Sequence, residues 1–191
     1  MGAEPLDLGI AADERGALQA ALSNARSADL LVTTGGASVG DHDLVREVGG
    51  TAGLALDFWK VRMRPGKPLI FGQLGGRPLV GLPGNPVSTI VCAIMFLRGA
   101  VRMSLGLDPG LPWKDVEIAH DLGENDGRRD FMRAFRAPDG TVSVASRQDS
   151  SMLAVMADAD LLLERPPLDP ARPAGSRLRA IDLSEVLHAS V

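Results

Sequence analysis

The sequence contains little of several residue types, and each scarcity argues against a class of function. Its 191 residues include one cysteine, so no internal disulfide can form and a reducing cytoplasm is the expected compartment. Tyrosine is absent and aromatic residues make up 4% of the chain, too few for base-stacking platforms. The net charge of −4 lacks the basic surplus of nucleic-acid-binding proteins. We therefore expect no nucleic-acid partner, and any anion site must be built locally from a few cations.

Long apolar segments are also scarce. The longest apolar run, residues 87–97, is shorter than a bilayer-spanning helix, and the sequence shows no signal peptide, so no membrane partner is expected. Cys92 lies within this run, which favours a small buried side chain over a nucleophile. Hydrophobic residues nevertheless make up 45% of the chain, which is enough to bury a substantial core.

The succession of apolar patterns predicts an α/β fold over the first half of the chain. A strand over residues 3–10 is followed by a helix that opens at Asp13, with alanine and leucine at helical spacing. Further strands are predicted at residues 29–34, 54–63, 68–72 and 78–82. A short helix over residues 43–48 and a long helix from Pro86 to about residue 105 complete this half. The alternation indicates helices that cover a mostly parallel sheet.

The pattern changes at LDPGLP, residues 107–112. Short strands are predicted after it at residues 116–120, 130–136, 141–145, 160–164 and 177–183, with one helix near residues 150–157. We therefore predict two domains, an α/β domain over residues 1–108 and a small β-rich domain over residues 109–191.

Three loops follow predicted strands, at the edge of the sheet where α/β proteins bind ligands. The first loop reads TTGGASVGDHD, and its candidate ligand-binding residues are Gly35, Gly36, Ser38 and Gly40. Its glycines allow backbone N–H groups to approach an anion closely. Asp41 and Asp43 stand at a helix start, where one of them could cap the helix or hold Mg²⁺ beside substrate phosphates. Capping is the more common role of aspartates at such positions.

The second loop carries a cluster of cations. The segment KVRMRPGK places Lys60, Arg62, Arg64 and Lys67 within eight residues. On one continuous strand the first three would share a face, and arginine and lysine both suit phosphate-like anions. A solvated strand face is the alternative. It is weakened by the turn pair Pro65-Gly66, which would present Lys67 at a fixed place.

The third loop, GLPGNPVS, opens the long helix. Asn85 is a favoured N-cap residue, Pro86 suits the first helical position, and a helix N-terminus attracts anions. Taken alone, the segment favours a capped turn between a strand and a helix over an anion site. The sequence contains no Walker A loop, no Rossmann fingerprint, no zinc-ligand spacing and no Ser/His/Asp order. We therefore predict an oxyanion site that relies on cations rather than on a nucleophile.

These three loops, in this order and spacing, resemble the molybdopterin molybdenumtransferase family (MoeA, with the E domain of gephyrin as its eukaryotic relative). The segments GRRDFMRA and RQDSSML resemble the C-terminal β domain of that family, so the resemblance covers nearly the whole chain. It implies a three-layer molybdopterin-binding domain like those of the MoaB and Mog proteins, here incomplete at its N-terminus. A small β-barrel-like C-terminal domain is implied to follow.

The resemblance also implies a reaction. The family inserts molybdenum from molybdate into adenylylated molybdopterin, releases AMP and requires Mg²⁺. Expected partners are a second copy of the chain in a homodimer, the upstream adenylyltransferase and molybdoenzymes, all in the cytoplasm.

Site residues are carried over from the family motifs. Asp43 and Lys60 match active-site residues, and Arg64 stands where the family commonly has lysine. By this resemblance Lys60, Arg64 and Lys67 would hold molybdate and phosphate, and Asp43 with Asp41 would hold Mg²⁺. The substrate-binding residues would be Gly35, Gly36, Ser38, Gly40, Lys67, Pro83, Gly84, Asn85, Pro86 and Ser88.

Two alternatives stay open at this point. The family's first strand, with its TGDE-type loop, and its two N-terminal domains have no counterpart in this sequence. The chain could therefore be a non-catalytic module that binds molybdopterin or AMP, or a scaffold. The other alternative is a MoaB/Mog-type adenylyltransferase, which the β-rich domain disfavours because those proteins have a single domain.

Overall fold

The computed structural model describes residues 2–12, 14–35 and 54–187. The first half contains helix α1 (Arg15–Asn24), strands β1 (Leu31–Thr34), β2 (Leu54–Phe58), β3 (Met63–Arg64), β4 (Ile70–Leu74) and β5 (Arg77–Leu82), and helix α2 (Pro86–Ser104). The second half contains strands β6 (Trp113–Glu117), β7 (Arg129–Arg136) and β8 (Val142–Val144), helix α3 (Leu153–Asp158), strands β9 (Leu161–Arg165) and β10 (Arg177–Asp182), and helix α4 (Leu183–Leu187).

Four strands form the first sheet, in the order β1-β5-β4-β2. β1 runs parallel to β5, whereas β4 is antiparallel to both of its neighbours. The prediction of a mostly parallel sheet is therefore wrong for the described part of the chain. The reason is the turn between β4 and β5, where Gly75 and Gly76 have φ of 57° and 80°. Two successive left-handed residues make a tight hairpin, so the chain reverses without a crossover helix.

The strand predicted over residues 3–10 is also wrong, because residues 2–12 form neither strand nor helix. The alternating sequence suits a strand, but an extended segment needs a neighbour to satisfy its N–H and C=O groups. No described strand pairs with it, and Leu6 and Ile10 are exposed. Helix α1 follows as expected, with Glu14 in the extended conformation before it and Leu22 buried on its inner face.

Helix α2 is the central element of the first half. Asn85 precedes it in an extended conformation and Pro86 is its first residue, as predicted. Its middle turn, Ala93–Leu97, is π-helical. By length and composition α2 could cross a membrane, which the shorter run of residues 87–97 did not predict. Val87 and Val91 are completely buried in the protein core, so the core position of α2 accounts for its apolar character.

The second sheet has six strands, in the order β3-β7-β9-β10-β6, with β8 also paired to β7. The predicted strands for β7, β8, β9 and β10 agree with the structure to within a residue at most ends, whereas β6 begins three residues earlier than expected. One bridge between Ile118 and Val142 connects the end of β6 to β8. No ladder completes the ring among the described strands, so the expected barrel-like domain is an open sheet in this structure.

One hydrophobic core extends through both halves. It contains Val87 of α2 together with Phe131 and Leu162 of the second sheet. Met63 and Leu69, which flank the segment Pro65-Gly66-Lys67-Pro68, belong to the same core. β3 also pairs with β7 of the second sheet. The division at residue 108 stays a prediction, and the shared core fixes the segment between β3 and β4 against the second sheet.

Candidate functional site

Two of the three predicted loops meet where β1 and β5 end. The N–H of Gly35 donates to the carbonyl oxygen of Leu82 over 3.2 Å. A Cβ on Gly84 would lie 3.3 Å from the Cα of Gly35, so the two glycine backbones are nearly in contact. Gly35 has φ of 78°, a conformation that side chains rarely adopt. Glycine at both positions therefore allows the two chain segments to pack closely against each other.

The same edge carries polar atoms without partners. Asn85 Oδ1 and Thr33 Oγ1 are buried and accept no hydrogen bond from the described residues. The expected cap of α2 is absent, since Asn85 makes no side-chain bond to the helix. Instead the Thr89 hydroxyl lies 2.5 Å from the Pro83 carbonyl oxygen and 2.9 Å from that of Asn85. Because buried polar atoms are normally paired, the Asn85 oxygen is available to a ligand donor.

A cavity of about 390 Å³ lies between the β3–β4 loop and the second sheet. Its walls come from four separate segments of the chain. The lining residues are Met63, Arg64, Pro65, Gly66, Lys67, Pro68, Ser88, Arg128, Gln148, Asp149 and Ser150. We call this space the interdomain cavity. Of the predicted site residues it brings together Arg64, Lys67 and Ser88.

The loop on one wall of the cavity is supported by the buried thiol beneath it. Gly66 has φ of 108°, and a Cβ on it would lie 2.5 Å from Cys92 Sγ. The thiol lies 3.7 Å from the Gly66 carbonyl oxygen, and burial raises the pKa of Cys92 to about 12. Cys92 is thus a buried, protonated side chain, as the sequence predicted, and it cannot act as a nucleophile.

The cations that line the cavity differ in whether a carboxylate already neutralises their charge. Arg64 pairs with the buried carboxylate of Asp130 and lies 3.4 Å from Asp126. Arg128 Nη2 lies 2.7 Å from Asp126 Oδ2, and this side-chain hydrogen bond holds the pKa of Asp126 at about 2. The Lys67 ammonium has no ion-pair partner among the described residues, and its side chain is exposed. Lys67 is therefore the lining cation whose charge an entering anion can neutralise.

Lys60 and Arg62 do not share a strand face with Arg64, so that prediction is wrong. β2 ends at Phe58 after an irregularity between Leu56 and Phe58, and β3 joins the other sheet. The Lys60 ammonium lies 3.7 Å from the centre of the Trp59 ring. Lys60 is not among the residues that line the interdomain cavity.

Sequence reasoning missed the wall that the second half contributes. Arg128, Gln148, Asp149 and Ser150 line the cavity from the segments GRRD and RQDSS. The available signal was the polar segment RQDSS just before a short helix. No local sequence pattern shows that this segment faces the β3–β4 loop. Behind this wall Arg133 is buried, and its Nη2 donates to the Asp149 carbonyl oxygen over 3.1 Å.

Five predicted site residues lie outside the described part of the chain. These are Gly36, Ser38, Gly40, Asp41 and Asp43. Pro83 is buried beneath the edge formed by Gly84 and Asn85, and Pro86 is exposed at the start of α2.

Two successive family models match the chain in a comparison with known proteins. A family model described as a probable molybdopterin binding domain matches residues 1–103, and one described as the MoeA C-terminal region (domain IV) matches residues 115–183. Molybdopterin molybdenumtransferase 2 of Mycobacterium tuberculosis is 37% identical over 164 residues, which are 82% of this chain and 40% of that protein. The molybdopterin molybdenumtransferase of Nostoc sp. is 37% identical over 136 residues, which are 68% of this chain and 31% of that protein.

A solved structure shares the fold. The molybdopterin biosynthesis MoeA protein from Pyrococcus horikosii superposes with a TM-score of 0.75 at 24% identity, over 92% of this chain and 42% of that one. The chain thus spans about two fifths of the length of the first of these relatives. Since the first family match covers more than half of the chain, the chain belongs to the molybdopterin-binding-domain family, and its second half matches the MoeA C-terminal region.

Proposed function

We propose that the protein inserts molybdenum from molybdate into adenylylated molybdopterin and releases AMP. The observation that supports this most directly is the interdomain cavity. It combines the uncompensated Lys67 ammonium with the hydroxyls of Ser88 and Ser150. A tetrahedral oxyanion needs a positive charge and several hydrogen-bond donors around it, and these side chains supply both.

Each lining group has a proposed role in holding the oxyanion. Lys67 supplies a mobile point charge, and Ser88 and Ser150 donate their hydroxyl protons from opposite walls. Arg64 and Arg128 are already paired with carboxylates, so they contribute shape and fixed N–H donors more than net charge. The volume of about 390 Å³ falls within the range of small-molecule sites.

The adjoining edge of the first sheet is the proposed site of the nucleotide-like substrate. A Cβ on Gly35 would meet no atom within 4 Å, and we propose that this open space near the N-terminus of α2, a helix of 19 residues, accepts a phosphate. The unpartnered Asn85 oxygen would accept a hydrogen bond from a substrate N–H group. By the family resemblance we assign Gly36, Ser38 and Gly40 to the same site, together with Lys60, Pro83 and Pro86.

Only the sequence supports the proposed role of Mg²⁺. Asp41 and Asp43 lie outside the described residues, so their fit to the ion stays a prediction. The described residues contain no group of three or more His, Cys, Asp or Glu side chains that could hold a metal. When bound, Mg²⁺ would neutralise charge on the phosphates. A homodimer, a cytoplasmic location, and contacts with an adenylyltransferase and molybdoenzymes belong to the same proposal.

Release of AMP tests the proposed reaction. The purified protein, incubated with adenylylated molybdopterin, molybdate and Mg²⁺, should release AMP. We expect Lys67→Ala to raise the molybdate KM about tenfold or more, because it removes a charged hydrogen bond. We expect Asp43→Ala to abolish release while the protein stays folded. Lys114→Ala, on the far strand β6, is the matched control and should leave the kinetics unchanged.

Three different results would contradict the proposed function or one part of it. Binding of adenylylated molybdopterin without any AMP release would indicate a non-catalytic binding module. Full AMP release by Asp43→Ala would contradict the role of that aspartate, and equal effects of Lys67→Ala and Lys114→Ala would contradict the oxyanion site.

A further inference from the structure

One edge of strand β7 has a gap in its pairing. β9 covers one side of β7, from Asp130 to Ala134. On the other side β3 pairs with Arg129 and Asp130, and β8 pairs with Ala134–Arg136. Neither of these short strands has a residue paired with Arg133, whose main chain lies between them. Backbone groups in the interior of a sheet need partners, so something must complete this edge.

Two groups complete it: the N–H of Ala145, just after β8, donates to the Arg133 carbonyl oxygen over 2.9 Å, and the side chain of Gln148 bonds both main-chain groups of Arg133. Gln148 Oε1 accepts from the Arg133 N–H over 3.0 Å, and Gln148 Nε2 donates to the Arg133 carbonyl oxygen over 2.9 Å. The same Nε2 donates to the carbonyl oxygen of Ala145 over 3.0 Å. The carboxamide thus adds to the bond from Ala145 by pairing with both main-chain groups of Arg133, and it ties the segment after β8 to β7.

The same contacts determine where the next residues lie. Gln148, Asp149 and Ser150 line the interdomain cavity opposite the β3–β4 loop. Arg133 also holds Asp149 by a bond from Nη2 to its carbonyl oxygen, 3.1 Å long. One residue of β7 therefore fixes this wall twice, by its main chain through Gln148 and by its side chain through Asp149.

We propose that Gln148 is a positioning residue of the oxyanion site, acting by holding Ser150 against the cavity; this rests on the proposed function. Only an amide of this length can do so. It accepts one bond and donates two, whereas an ionised glutamate cannot donate and an asparagine is one methylene too short. The proposal includes no contact between Gln148 and the ligand, because the Gln148 carboxamide is already hydrogen-bonded to main-chain groups.

Molybdate affinity, measured by calorimetry on the purified protein, tests this inference. We expect Gln148→Ala and Gln148→Glu to raise the molybdate Kd about tenfold, the effect of losing one hydrogen bond to a charged group. Hydrogen exchange of residues 145–151 should accelerate in both variants. Gln73, an exposed glutamine on β4, provides the matched controls Gln73→Ala and Gln73→Glu, which should leave both measurements unchanged.

A double-mutant cycle separates positioning from general destabilisation. If Gln148 acts through Ser150, the effect of Gln148→Ala on Kd should nearly vanish in a Ser150→Ala background. Additive effects, or an unchanged Kd in Gln148→Ala, would overturn the inference while leaving the proposed function intact. A wild-type protein that binds no molybdate would instead overturn the proposed function, and the inference with it. If Gln148→Ala does not fold, Gln148→Asn supports the same comparison.

Discussion

At the scale of single residues, whether a cationic side chain can neutralise a bound anion depends on carboxylates that are far away in sequence. Arg64 and Lys67 are three residues apart, yet within residues 2–12, 14–35 and 54–187 only Arg64 is paired with carboxylates. Those carboxylates, Asp126 and Asp130, lie 62 and 66 residues further along the chain. The sequence placed Arg64 and Lys67 close together but could not predict that Arg64 is neutralised, because no local pattern indicates pairs of such long range.

Gly66 gives a prediction at this scale. Gly66→Ala combines a positive φ with a Cβ only 2.5 Å from Cys92 Sγ, whereas Gly76→Ala has φ of 80° and no atom within 4 Å of its Cβ. Both variants carry backbone strain, and only Gly66→Ala adds overpacking, which typically costs about 1–3 kcal/mol. Urea unfolding should show Gly66→Ala to be the less stable variant by about that amount.

The same pair of variants separates strain from crowding. Molybdate binding should weaken in Gly66→Ala, because the displaced loop carries Lys67, and should be unchanged in Gly76→Ala. Equal stabilities of the two variants would show that the thiol does not support the loop.

At the scale of elements, a buried ionic network holds the segment that brings Arg128 to the cavity. The Asp169 carboxylate accepts from Arg165 Nε over 2.5 Å and from Arg172 Nη2 over 2.6 Å. Asn125 Nδ2 donates to the carbonyl oxygens of Arg128 and Pro166 over 2.8 and 2.7 Å. The connection between β9 and β10 and the segment before β7 are therefore fixed to each other.

This network makes stability depend on pH. Hydrogen bonds from Arg172 and then Arg165 hold the pKa of Asp169 below its usual value, although burial opposes them. A lowered folded pKa stabilises the protein fully above the unfolded pKa, near 3.9, and this stabilisation is lost as the pH falls through the folded value. Asp169→Asn leaves buried Arg165 unpaired, so we expect a loss of about 3 kcal/mol at pH 7.

The difference between wild type and Asp169→Asn should begin to shrink below about pH 4, where the Asp169 carboxylate of the unfolded chain takes up a proton, and should be lost below the lowered folded pKa. Denaturant unfolding at several pH values measures it, with Asp57→Asn on the exposed face of β2 as the control. A loss at pH 7 no larger than that of Asp57→Asn would show that the network contributes little.

Elements with their own local signals could be predicted from the sequence. Strands β7–β10, the start of α2 and the glycine turn between β4 and β5 were found in this way, because alternation, capping residues and turn chemistry are short-range. Residues 3–10 and 54–63 were not, because a strand also requires a pairing partner. The second segment splits between two sheets, which only the tertiary fold decides.

At the scale of the whole molecule, the proposed site exists because the two halves share a core. The β3–β4 loop comes from the first half, and the wall of Arg128 and Ser150 comes from the second. Met63, Val87 and Phe131 pack in one cluster between them. The family resemblance in the sequence suggested the proposed reaction, but the cavity could be located only from the positions of both halves in the structure.

The position of bound molybdenum tests the central claim most directly. Crystals soaked in molybdate, with diffraction data collected on both sides of the molybdenum absorption edge, locate the metal without a model of the ligand. We predict one anomalous peak in the interdomain cavity, between Lys67, Ser88 and Ser150, and its loss in Lys67→Ala. A peak outside this cavity, or one that persists undiminished in Lys67→Ala, would contradict the account.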